Sequence, residues 1–132
     1  MYISKRYREI VKNKFGGKCA YTGTELLPDW QIDHLKPVIG YQIGSYHYEG
    51  NPNHIDNLMP CQKIVNHYKR ALPLDLFRTW FLGGLHDRLK KLPKNSKSEK
   101  AIKRKAYLLE VASLFNITEE TPFNGKFYFE TI

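Results

Sequence analysis

Trp30-Gln31-Ile32-Asp33-His34 is the stretch on which the fold turns. Apolar and polar side chains alternate there, as a half-buried strand requires, and the pattern stops at a carboxylate beside an imidazole. Upstream, Cys19-Ala20-Tyr21-Thr22-Gly23 has the composition of a tight turn. The two together predict a hairpin whose second strand ends near Asp33 and His34. Downstream, residues 35–57 carry Pro37, Gly40, Gly44, Gly50 and Pro52 among aromatic and polar side chains. That composition predicts a long shaped loop, the kind of connection that carries function.

Helical spacing brackets this centre. Tyr7, Ile10, Val11 and Phe15 recur every three or four positions in residues 4–15, and Gly16 and Gly17 can end that helix. A second helix is expected from Cys61 or Gln62 towards Arg70, with Pro73 interrupting or restarting it. Leu74, Phe77, Phe81, Leu85 and Leu89 form a further apolar stripe with Trp80 beside it, and Gly83 and Gly84 permit a bend. Residues 93–98 read as a linker with Ser98 as N-cap. Ile102, Ala106, Leu109 and Ala112 or Ser113 then continue the period to about Phe115. The expected class is α+β in a single domain over 1–132, with a core at 15–70, a helical extension at 73–115 and a tail or edge strand at 123–132.

The chain has 132 residues, which suits one domain, and 21 Lys and Arg against 13 Asp and Glu. The resulting +8 makes a polyanion an expected partner, because each cation near a phosphate releases a counterion. Charge is unevenly placed: residues 88–105 hold nine basic side chains and only Glu99 as an acid, whereas 106–132 hold one Lys and four Glu. Two cysteines, Cys19 and Cys61, exclude a disulfide-rich scaffold and a four-cysteine zinc site. With no signal-peptide pattern at the start and no apolar run of membrane length, the expectation is a cytoplasmic protein without a membrane partner.

Asp33 can hold a hard cation and a neutral His34 can take a proton from water near neutral pH. Asn57 and Asn66 offer an amide to fasten a loop and a carbonyl oxygen for a metal. These residue types are common, and it is their order that carries information. Phe15-Gly16-Gly17-Lys18-Cys19-Ala20-Tyr21-Thr22-Gly23, Ile32-Asp33-His34-Leu35-Lys36-Pro37-Val38, Asp56-Asn57-Leu58-Met59-Pro60-Cys61 and Asn66-His67-Tyr68-Lys69 follow one another as in HNH endonucleases of the ββα-metal class, which the chain resembles. Leu74-Asp75-Leu76-Phe77-Arg78 is similar to small phage-type members, which points to a phage-encoded source.

The resemblance implies a ββα-metal core with flanking N-terminal and C-terminal helices. It assigns Asp33 and Asn66 as metal ligands, His34 as the general base and Asn57 as the residue tying down the loop. It implies Mg²⁺, with Mn²⁺ able to substitute, and DNA hydrolysis to 5′-phosphate and 3′-hydroxyl ends. Lys36, Lys63, Lys69, Arg70, Lys90, Lys91 and Lys94 are the expected phosphate contacts, with Arg8 and Lys18 as further candidates. The sequence departs from zinc-supported relatives in having only Cys19 and Cys61 where two Cys-x-x-Cys knuckles would stand. No structural zinc is therefore expected, and Ile64 or Val65 should be buried in its place. His67 competes with Asn66 for the last ligand position, and His47 and His54 are candidates to approach phosphate. Tyr41, Tyr46 and Tyr48 are expected to anchor the loop. Two rival readings are a catalytically weak nucleic-acid-binding module and an RNA-directed nuclease; a homodimer or a phage protein partner is left open.

Overall fold

The structure, a computed structural model, describes residues 3–36 and 51–132. The expectations for His47, Tyr41, Tyr46 and Tyr48 lie outside the described residues. The fold is α+β. In chain order it has α1 (Lys5–Asn13), β1 (Gln31–His34), a 3₁₀ turn at Ile55–Asn57, β2 (Leu58–Cys61), α2 (Lys63–Lys69) and α3 (Leu74–Leu76). A π-helical segment at Phe77–Leu82, α4 (Leu85–Lys90), α5 (Glu99–Leu114) and a 3₁₀ turn at Tyr128–Glu130 complete it. The chain divides into two compact units. Met1–Asp75 with Phe127–Ile132 form a sheet unit, and Leu76–Lys126 form a helical unit. No helix among the described residues is long and apolar enough to cross a membrane.

In the sheet unit, α1 starts at Ser4, whose hydroxyl accepts the Tyr7 N–H at 3.1 Å, as a capping serine should. Gly16 and Gly17 at φ 65° and 81° follow its end, a region of backbone space that glycine enters without a Cβ clash. The apolar face is narrower than the spacing predicts: Val11 is fully buried, whereas Ile10 stays 48% exposed. Val11, Trp30 and Leu58 form a core cluster, with Tyr7, Ile32 and Ile55 packed against it.

The expected hairpin is corrected. β1 pairs antiparallel with β2, in the register Gln31↔Cys61, Ile32↔Pro60, Asp33↔Met59 and His34↔Leu58. The earlier turn contributes only an isolated bridge between Lys18 and Glu25. Leu58-Met59-Pro60-Cys61 is buried throughout and shows no alternation, and a proline within it argues against a strand, so the sequence pattern concealed the partner. Pro60, which has no N–H to give, spends its carbonyl on the Ala20 N–H at 2.8 Å. Lys14 Nζ donates to the Ile55 and Leu58 carbonyls at 2.8 and 3.0 Å, fixing the end of α1 to the start of β2. Burial lowers the Lys14 ammonium from its usual range, opposed by the nearby charge of Asp56.

Of the two readings of residues 123–132, tail or edge strand, no strand forms: Tyr128–Glu130 is a 3₁₀ turn. Tyr128 and Phe129 donate their N–H groups to the Tyr21 and Ala20 carbonyls at 3.1 and 2.9 Å. Phe127 meets the Tyr21 ring edge-on at 5.4 Å between centroids, a geometry that suits the opposite polarity of ring face and edge.

In the helical unit, Ser98 caps α5 as expected, its Oγ accepting the Ala101 N–H at 3.4 Å. The buried face of α5 is Leu108, Val111 and Ala112. The helix spans the expected period, of which Ala112 is buried while Ile102 and Leu109 stay 54% and 47% exposed. Phe77, Leu85 and Leu89 are buried, and Trp80 is exposed.

Candidate functional site

β1 carries Gln31 and Asp33 on one face, because residues two apart on a strand point the same way. α2 begins after Gln62, whose buried side chain accepts the Leu27 N–H at 3.1 Å and donates to Thr24 Oγ1 and the Glu25 carbonyl at 2.9 and 2.7 Å. That amide locks the turn at residues 24–27 to the start of the helix. Val65 on α2 is fully buried, one of the two positions expected to be, and Ile64 is half-buried. Asn66 and Lys69 are three residues apart, so they share a helix face. Both turn to β1: Asn66 Nδ2 donates to Gln31 Oε1 at 2.8 Å, and Lys69 Nζ lies 3.0 Å from Asp33 Oδ2.

Asp33 is buried and doubly held. Its Oδ2 accepts the Tyr21 hydroxyl and the Lys69 ammonium. Burial raises its carboxyl above the ordinary carboxylate value, and the Lys69 charge and the Tyr21 hydrogen bond oppose that rise. Tyr21 is pushed well above the usual phenol value by burial and by the Asp33 charge. Lys69 is corrected as a phosphate contact. It has no exposed surface, and its three protons have three acceptors: Asp33 Oδ2, the Leu72 carbonyl at 3.0 Å and the His34 carbonyl at 3.4 Å.

Asn57 does what loop fastening requires. Its Oδ1 accepts the Lys36 N–H at 2.8 Å, and its Nδ2 donates to the Lys36 and Pro52 carbonyls at 3.1 and 2.9 Å. Its own carbonyl accepts the Leu35 N–H at 2.9 Å. The exit of β1 is therefore fixed by one buried amide. His34 is half-buried, and its Nε2 is 2.9 Å from Asn53 Oδ1. An amide oxygen only accepts, so Nε2 is the donor, and in the neutral ring that leaves the lone pair on Nδ1.

The remaining polar candidates divide cleanly. Lys36, Lys63 and Arg70 of the sheet unit are exposed, as are Lys90, Lys91 and Lys94 of the helical unit. Lys18 is exposed too, its ammonium 5.8 Å from the centroid of the Tyr128 ring. His67 is exposed. His54 caps the 3₁₀ turn, its Nδ1 accepting the Asp56 N–H at 3.2 Å. Arg8 is half-buried, lies 3.9 Å over the Trp30 ring and donates one N–H to the Trp30 carbonyl. Cys19 and Cys61 are buried free thiols. A hydrogen bond from Cys61 draws Cys19 down to about 6, while burial pushes Cys61 well above the usual thiol value.

Asn53, Gln31, Tyr21 and the inward turn of Lys69 were not anticipated as site features. The spacing of Asn66 and Lys69 held a usable signal for the last of these. Among the described residues no three His, Cys, Asp or Glu side chains cluster as a metal site. Comparison with protein-family models, with curated proteins and with solved structures finds no match for this chain.

Proposed function

We propose that the chain is a divalent-metal-dependent endonuclease of the HNH type, hydrolysing DNA phosphodiester bonds to 5′-phosphate and 3′-hydroxyl ends. The observation that carries this reading is the bond from Asn66 to Gln31, which joins α2 to the strand that bears Asp33 and His34. The order of the motif residues along the chain supports it, and so does the fastening of the β1 exit by Asn57.

The donor chemistry fits a hard cation of the Mg²⁺ kind. Among the described residues only Oδ2 of Asp33 has partners, which leaves Oδ1, and Asn66 spends its N–H₂ on Gln31, which leaves its carbonyl oxygen. The hold on Oδ2 orients the carboxylate, as partners behind a metal ligand do. Mg²⁺ keeps several waters, so two protein oxygens and a substrate phosphate suffice. When bound, the ion supplies charge to offset that gathering on the phosphate and the leaving O3′. The Nδ1 atom of His34 takes a proton from the water that attacks phosphorus, while Asn53 holds Nε2–H and fixes the ring. Exposed Lys36, Lys63 and Arg70 bind the phosphates on either side and add no base readout. Lys90, Lys91 and Lys94 give the helical unit a basic surface of its own for the same polyanion.

One observation favours a second reading. The Lys69 ammonium beside Asp33 works against a cation there, as a weak nucleic-acid-binding module would allow. Incubation of supercoiled plasmid with Mg²⁺ or Mn²⁺, against EDTA, separates the two. Nicked or linear product with either metal and none with EDTA is expected. Tight plasmid binding with no cutting under any divalent ion would leave the binding module. A matched RNA substrate cut in preference to DNA would move the reading to an RNA nuclease.

A further inference from the structure

α5 has two apolar faces, and the fold uses one. Leu108, Val111 and Ala112 are buried inside the helical unit, whereas Ile102, Ala106, Leu109 and Ser113 lie exposed along the other side. Those four positions are spaced four, three and four apart, the seam of two paired helices. Beside them runs a groove of about 830 Å³, whose lining includes Leu89, Leu92, Leu109, Lys105, Glu119 and Glu120. A helix is about 10–12 Å across with its side chains, so a second one laid along α5 would bury the seam and fill part of the groove.

Charge decides which helix that is and which way it runs. The first half of α5 carries Lys100, Lys103, Arg104 and Lys105; the second half carries Glu110, with Glu119 and Glu120 following the helix. Side by side in the same direction, two copies set basic half against basic half. Turned head to tail, each basic half meets the other copy's acidic half. We infer that the exposed face of α5 is a self-association surface, on which a second copy of this chain packs antiparallel. About the two-fold axis between Ala106 and Leu109, Ile102 of one copy faces the Ser113 end of the other, and the contact between Lys103 and the second copy's acidic Glu110 occurs twice over. Among the described residues Lys103 has only an exposed pair within its own helix, with Glu99 at 3.1 Å, which holds it little. The interface is small, so the dimer is weak and concentration-dependent. This inference stands apart from the nuclease reading.

Sedimentation velocity of the full chain over a concentration series, at low salt and without nucleic acid, tests it. Growth of a dimer with concentration is expected, with Leu109→Glu abolishing it at unchanged helical circular dichroism. Lys103→Glu should weaken association about tenfold, since two symmetry-related contacts change sign. Adding Glu110→Lys to Lys103→Glu should restore it, because only the antiparallel pairing sets these two positions against each other. A monomer at every concentration would overturn the proposal. So would a dimer untouched by Leu109→Glu, or a folded double variant that fails to recover.

Discussion

The two units solve the problem of an interior differently. The sheet unit buries Asp33, Asn57, Gln62 and Lys69 among its apolar side chains. The helical unit buries Phe77, Leu82, Leu85, Leu89, Leu108, Val111, Phe115 and Ile117, and its His86 Nδ1 is the only buried side-chain nitrogen or oxygen without a partner among the described residues. A buried polar group costs stability unless its bonds are all made, so an apolar interior is the easier way to fold. The sheet unit takes the harder way: Gln62 locks the turn at residues 24–27, and most of the other polar bonds fall along β1. Asn57 holds the chain leaving His34, Lys69 holds the His34 carbonyl and Asp33, and Asn66 holds Gln31. What that polar interior gains is orientation of a few side chains; the helical interior has none to orient.

The contrast breaks first at Lys69. Lys69→Met leaves the Asp33 carboxylate buried without its counter-charge and should cost about 3–5 kcal/mol in urea unfolding. Leu85→Ala in the other unit, a plain cavity, should cost about 2–5 kcal/mol. What distinguishes them is pH. Asp33 titrates above its ordinary value in the folded chain. A group raised in this way favours folding most below its unfolded value and loses that contribution as pH rises through the folded one. Without Lys69 the value rises further, so the deficit of Lys69→Met against wild type should shrink as pH is lowered from neutrality. The Leu85→Ala deficit should not move. A Lys69→Met deficit that is flat with pH would contradict the buried ion pair.

Asn57→Ala removes three side-chain bonds and should cost about 1–3 kcal/mol, with a loss of plasmid cutting larger than that loss of stability explains. If cutting is unchanged in the folded variant, Asn57 does not position His34. Lys63→Ala and Arg70→Ala should leave stability within about 0.5 kcal/mol. Each should lower the salt dependence of DNA binding by about one phosphate contact, measured by fluorescence anisotropy against salt concentration. Ser98→Ala should cost about 0.5–1 kcal/mol in thermal or urea unfolding, from loss of the α5 cap.

Much of the sheet unit could be read from local pattern. Ser4, Gly16 and Gly17 mark α1 by capping chemistry, and the alternation in Gln31-Ile32-Asp33-His34 marks β1. β2 could not be read, because a strand covered on both faces has no alternation to show and Pro60 disguises it. Pairing β1 with the earlier turn followed from that gap. The side chains of the candidate site were legible as residue types; their partners were not. Tyr21 reaches Asp33 across 12 positions and Gln62 reaches Thr24 across 38, and no local pattern encodes such contacts. In α5 the period at 102, 106, 109 and 112 or 113 marks the helix, but Leu108 and Val111 carry most of its buried face. Periodicity says that a face is apolar and does not say what covers it. Counting basic residues misplaced Lys69, since a cation whose donors are spent inside the protein adds to net charge without reaching a phosphate.

Single-turnover plasmid cleavage by wild type and His34→Ala in saturating Mg²⁺, with DNA affinity measured alongside, puts the base role of His34 to the most direct test. The variant should bind DNA as wild type does and cut it about 10²–10⁴ times more slowly, the contribution of a positioned base. Equal cutting rates in the two proteins, at equal affinity, would contradict it.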